Sequence, residues 1–270
     1  MPGFQEKRRQ LPDWPLVAIP LAAVITFGFG LFGGLAWMLL VKAIGAASGS
    51  HVSLKDPVAL LGATVAQDAG FVLGPIIALL MRSQRLKAGD FGFTNVGAKG
   101  KTVLVALGAW VAFVAFSAAW SKLVHIHEHQ SITKDLGVNE SPLLWTTGAF
   151  MITVIAPLCE EFMFRGFLFP LLWKKWGLVA GIVVSSVLFG LLHASGTPVA
   201  LLVPLAVLAV VLCLLRAWSG SLLPGIALHS FNNAIAFGTI QKLPAQSILL
   251  LAAIGIAACM AISVIIVRRA

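Results

Sequence analysis

The 270-residue chain is 59% hydrophobic and only 11% charged, with a mean hydropathy of +0.96. Soluble domains run nearer about 45–50% apolar and about 25% charged, so these proportions exclude one of any size and predict an all-α, polytopic membrane protein. The net charge of +9 raises a nucleic-acid reading, which the placement of the charges removes below.

The first fifteen residues, MPGFQEKRRQLPDWP, are basic and form a cytoplasmic N-terminal segment. The apolar run after them is longer than the h-region of a cleavable signal, about 7–15 residues, and resembles a signal anchor. From residue 16 to 270 the chain is one integral membrane domain. A spanning helix takes about 20 apolar residues, which predicts eight spans: 16–41, 57–81, 102–124, 142–172, 178–195, 198–216, 221–240 and 245–267. Asp56-Pro57, Ser141-Pro142 and Leu243-Pro244 mark helix starts, where a missing proline N–H is harmless.

Eight spans put both termini on one side. Thirteen Lys and Arg residues, among them Lys7, Arg8, Arg9, Lys174 and Lys175, fall on that side. Lys42, Lys55, Lys122, Lys134 and Lys242 fall on the other. The positive-inside rule then makes the termini cytoplasmic in a cell-membrane protein, and no nucleic-acid partner is needed to explain the charge. Cys159, Cys213 and Cys259 lie in apolar stretches without paired spacing and read as small buried hydrophobes. The alternating histidines of HIHEHQ, residues 125–130, read as a solvated outer loop rather than a metal site, and LKAGDFGFTNVGAKG, residues 86–100, as a cytoplasmic connector.

The fourth span is too long. Its 31 residues would reach roughly 46 Å at about 1.5 Å per residue, against a hydrocarbon core of about 30 Å. It must tilt, run out of the membrane, or break, and Ala156-Pro157-Leu158 is the expected kink. Directly after that kink comes EEFMFR, residues 160–165.

Ionisable groups inside spans are costly and mark function by default. Glu161 and Arg165 are four residues apart on one helical face, acid first, and are expected to pair. Glu160 is rotated about 100° away and has no local partner. His193 ends the fifth span, and His229 and Asn233 share a face of the seventh. Counted from the cytoplasmic ends, His229 lies roughly 12 Å deep, Glu160 and Asn233 roughly 18 Å, and His193 roughly 22 Å. Asp68, near mid-membrane, is expected to reach the same cavity or to pair with Arg165. A carboxylate and imidazoles at one depth can activate water directly, or Glu160, His193 and His229 can do so as three ligands of a zinc ion. A His/Asn pair can donate hydrogen bonds to a developing oxyanion.

These residues resemble a known family. Glu160-Glu161-Phe-Met-Phe-Arg165, Phe189-Gly-Leu-Leu-His193 and His229-Ser-Phe-Asn-Asn233 follow, in order, the EExxxR, FxxxH and HxxxN motifs of the CAAX-protease and bacteriocin-processing (Abi) intramembrane proteases. The Ras-converting CAAX endoprotease belongs to the same family. The resemblance implies a catalytic core at about 142–240 that hydrolyses a peptide bond of a membrane-associated protein or peptide. It casts Glu160 and His193 as water activators, His229 and Asn233 as oxyanion donors, and Glu161 and Arg165 as supports, with no cofactor favoured and zinc the alternative. The competing readings are a non-catalytic immunity or chaperone-like protein of the same fold, and a proton-relay transporter. The lack of internal repeats disfavours the transporter.

Overall fold

A bilayer offers no water to backbone N–H and C=O groups, so long apolar runs bury those groups in helical hydrogen bonds. The computed structural model describes residues 2–49, 52–53, 56–96, 99–125 and 132–269, and in these the chain is helical with no strand. Apart from His125, HIHEHQ lies outside the described residues, as does Lys55. The helices are α1 (Pro2–Gln10), α2 (Ala18–Ala47), α3 (Pro57–Leu80), α4 (Lys99–Leu123), α5 (Pro142–Trp176), α6 (Leu178–Leu192), α7 (Val199–Ser219), α8 (Leu223–Ile240) and α9 (Ala245–Arg269). Six of them are long and apolar enough to cross a membrane. The other two of the eight expected are α6, at 15 residues, and α8, which carries His229, Asn232 and Asn233. The protein is a multi-pass membrane protein.

The long α5 does not break at Pro157. It runs unbroken from Pro142 to Trp176 and absorbs the irregularity in two π-helical stretches, Met151–Ile155 and Phe162–Leu168. Such widened turns recur at functional sites. Pro157 has no N–H to offer Ile152 in the five-residue register or Thr153 in the four-residue register. These two carbonyls take side-chain donors from α8 instead: Asn233 Nδ2 donates to Ile152 O at 3.0 Å, and Ser230 Oγ to Thr153 O at 2.6 Å.

Other prolines within helices show the same compensation. Four residues before Pro204, Ala200 O accepts from Trp120 Nε1 of α4 at 2.8 Å. Five before Pro170, in the widened register that ends at Leu168, Arg165 O accepts from Arg216 Nε at 3.3 Å. A side chain on a neighbouring helix meets each carbonyl, so the prolines become points of attachment between helices.

At the end of the bundle that carries the termini, the connection after α3 is packed into the fold rather than being a plain tether. Its 3₁₀ turn, Ala88–Phe91, places Phe91 against Trp14 and Phe162, with ring centroids 4.9 and 4.6 Å apart. Trp14 also meets Phe167 at 5.9 Å. Gly92 adopts φ +95°, and a Cβ there would stand 2.6 Å from the guanidinium of buried Arg216, so only glycine fits. Gly92 O accepts from Leu222 N, and Ser221 Oγ donates to Thr94 O at 2.7 Å. The N-terminal segment is clamped to the same end, with Lys7 Nζ donating to Trp218 O, Arg8 to Lys174 O, and Lys175 to Asp13 at 2.5 Å. Burial and the neighbouring Arg216 cation hold the Lys7 amine below its usual range, whereas Lys175 holds the Asp13 carboxyl below its own.

If Ser230 satisfies the carbonyl that Pro157 exposes, Ser230→Ala lowers stability by about 1 kcal/mol, the scale of hydrogen bonds between membrane helices. Thermal unfolding in detergent measures this, and an unchanged melting temperature removes the hydroxyl from the account.

Candidate active site

The two adjacent glutamates of α5 point to different places, as their rotation about the helix axis requires. Glu161 is 0% exposed and faces α8. Its Oε1 accepts from Arg165 Nη1 at 2.8 Å, which realises the expected pair, and from His229 Nδ1 at 3.1 Å, which spacing alone did not reveal. Gly225 of α8 makes room for this carboxylate, since a Cβ there would lie 3.0 Å from Glu161 Oε2. A fully buried arginine is costly unless paired. Besides Glu161, Arg165 has the Phe189 ring, whose centroid lies 4.5 Å from the guanidinium carbon.

Glu160, by contrast, opens onto a cavity of about 400 Å³ that His193, His229, Asn233, Phe189 and Asp68 also line. Its side chain is 12% exposed. Glu160 Oε2 stands 3.7 Å from His229 Nε2, outside hydrogen-bond distance. His229 therefore sits between the two carboxylates. A carboxylate can only accept, so Nδ1 carries a proton toward Glu161 and Nε2 is the nitrogen presented to Glu160.

His193 caps the end of α6. Its Nδ1 lies 2.9 Å from Phe189 O, and because a carbonyl only accepts, that nitrogen also carries a proton. In the neutral ring Nε2 is then left with its lone pair. The Phe189 ring backs both imidazoles, with centroids 5.0 Å from His193 and 5.9 Å from His229. One aromatic side chain thus stands between the buried arginine and the two histidines.

The neighbouring asparagines divide as the glutamates do. Asn232 Oδ1 accepts from Trp110 Nε1 of α4 at 3.2 Å, whereas Asn233 lines the cavity. One amide N–H of Asn233 is committed to Ile152 O, which leaves its second for the cavity. Asp68 does not pair with Arg165, which turns to Glu161 instead. It is 5% exposed, lines the cavity, and lies within electrostatic range of Glu160. Gln67 and Thr64 join it on the α3 wall. Neither drew notice in the sequence, because an uncharged polar residue in a span carries little signal on its own.

Glu160, His193 and His229 line one cavity, but among the described residues no three His, Cys, Asp or Glu side chains converge closely enough to hold a metal ion. His193 and His229 each direct one ring nitrogen elsewhere, to Phe189 O and Glu161.

Residues 141–235 match the family model described as type II CAAX prenyl endopeptidase Rce1-like. That segment runs from the start of α5 into α8 and contains all three motifs. Neither the curated proteins nor the solved structures offer a significant match. The family match supports protease activity in a membrane-embedded protein.

The geometry predicts opposite fates for the two glutamates. Removing the charge of Glu161 leaves Arg165 buried without its counter-ion, so Glu161→Gln costs about 3–5 kcal/mol of stability, whereas Glu160→Gln changes it by less than about 1 kcal/mol. Unfolding of both purified variants, followed side by side, measures the contrast. Equal stabilities would show that the ion pair does not hold the helix.

Proposed function

We propose that the protein is an intramembrane endopeptidase in which Glu160 activates water without a metal ion. The observation that carries this reading is the division between the glutamates: Glu161 Oε1 accepts from Arg165 and His229 inside the protein, while Glu160 faces a cavity lined by two histidines and an asparagine.

In this mechanism a water molecule beside Glu160 loses a proton to the carboxylate as its oxygen attacks the substrate carbonyl carbon. The carbonyl oxygen takes up negative charge in the tetrahedral intermediate. The free N–H of Asn233, and His229 Nε2 when protonated, donate hydrogen bonds to it. His193 Nε2 relays the proton to the leaving nitrogen, the C–N bond breaks, and a carboxylic acid and an amine result. Glu161 and Arg165 touch no reacting atom. They position His229 and fix the face of α5 that Glu160 presents. The substrate is a membrane-associated protein or peptide, since the cavity lies among helices that only membrane-embedded or membrane-bound chains approach.

Cleavage of a membrane-peptide library by the purified protein tests this. Glu160→Gln is expected to lower kcat at least about 10²-fold and His193→Ala by about 10²–10⁴-fold, the range of general acid–base contributions. Undiminished cleavage in both variants would falsify the mechanism, and no cleavage by folded wild type would leave a scaffold protein as the better reading. A chelator added to the wild-type reaction should leave the rate unchanged, and loss of activity restored by zinc would replace the metal-free scheme.

A further inference from the structure

The cavity has one closed end and one open end. Most of the side chains that line it come from the helix halves away from the termini: in α5 they run from Met151 to Glu160 and in α8 from His229 to Ile240, while Phe27 of α2 and Phe71 of α3 reach it from the half nearer the termini. At the end that carries the termini the floor is sealed. Glu161 and Arg165 lie there fully buried, over the packed rings of Phe162, Phe91 and Trp14, and the Gly92–Leu222 contact closes the margin. At the opposite end the lining passes to connecting segments: Thr133 and Asp135 before α5, and Ser195 and Gly196 after α6, the last two exposed. Exposure among these connecting segments is confined to the one after α6, where Ser195 and Gly196 are exposed while Thr133, Leu136 and Thr197 are buried.

We infer that substrate enters this cavity from the face opposite the termini, which the distribution of Lys and Arg makes the extracytoplasmic face. By the sequence thirteen cations fall on the side of the termini and, among the described residues, four on the other. The site then serves membrane-anchored polypeptides whose scissile bond lies in the outer leaflet or just outside it. A lipidated tail held at the cytoplasmic surface would meet the aromatic floor. This assignment of substrate class rests on the peptidase reading, but the direction of access does not.

The test is sided labelling in right-side-out membrane vesicles with a membrane-impermeant sulfonated maleimide. Ser195→Cys reports the rim, Thr64→Cys the cavity wall, and Arg9→Cys the opposite face. Wild type supplies the background, which comes from half-buried Cys159, since Cys213 and Cys259 are buried. Ser195→Cys and Thr64→Cys should label at least tenfold above wild type in sealed vesicles, and Arg9→Cys only after permeabilisation. Labelling of Arg9→Cys with Ser195→Cys protected would invert the orientation and overturn the inference. So would a labelled Ser195→Cys beside a Thr64→Cys that stays silent even to a small charged methanethiosulfonate, since the rim would then not lead into the cavity. Labelling does not depend on cleavage, so an inactive protein with the expected pattern would sink the peptidase reading alone. Conversely, a library peptide cut on its cytoplasmic flank would leave the peptidase reading intact and reject this one.

Discussion

One carboxylate oxygen, Glu161 Oε1, accepts hydrogen bonds from both Arg165 and His229. It is fully buried, and there an ion left without a partner would cost several kcal/mol. The arginine is therefore held one turn along the same helix, and the histidine is drawn in from α8. Through that histidine the position of α8 is tied to α5, and through the arginine the Phe189 ring of α6 is drawn onto the same core. Three helices are thus registered against one buried charge. Glu160, next in the chain but turned away, is left to the cavity by the same geometry.

The backbone of α5 contributes to this arrangement in a less obvious way. A proline in the middle of a membrane helix leaves carbonyls without donors, which a bilayer cannot supply. The two π-helical stretches flank the glutamates, and the carbonyls beside the first are met by Asn233 and Ser230. Asn233 therefore serves two masters: one amide hydrogen secures α5 and the other faces the cavity. The link between fold and site is direct, because the residue that repairs the helix is also one that lines the reaction space.

The eight helices were legible because about 20 consecutive apolar residues have few alternatives to a spanning helix, and the observed bounds fall within six residues of those expected, the widest gap being Ala47 against residue 41. The Glu161–Arg165 pair was legible because a four-residue spacing places two side chains on one face whatever surrounds the helix. Of the options open to the long α5, a break is not the one taken: the helix stays continuous through Pro157. Its cost in lost hydrogen bonds is real, but the sequence of α5 does not say that α8 would supply the donors. Asp68 was visible as a charge in a span, yet its direction, toward Glu160 rather than Arg165, depended on how α3 rotates against α5. Gln67 and Thr64 gave no signal at all.

The sequence by itself determined the membrane-spanning character, the order of the three motifs, the side on which most cations lie, and which of two adjacent glutamates had a local partner. These follow from composition and from helical periodicity, which act over a few residues. Only the tertiary structure decided that His229 bonds Glu161 while facing Glu160, that Asn233 meets the Ile152 carbonyl of α5, and that Asp68 lines the same cavity as Glu160. Those facts depend on how helices far apart in sequence rotate and approach one another, which is set by the packing of whole faces and is not written in any local spacing.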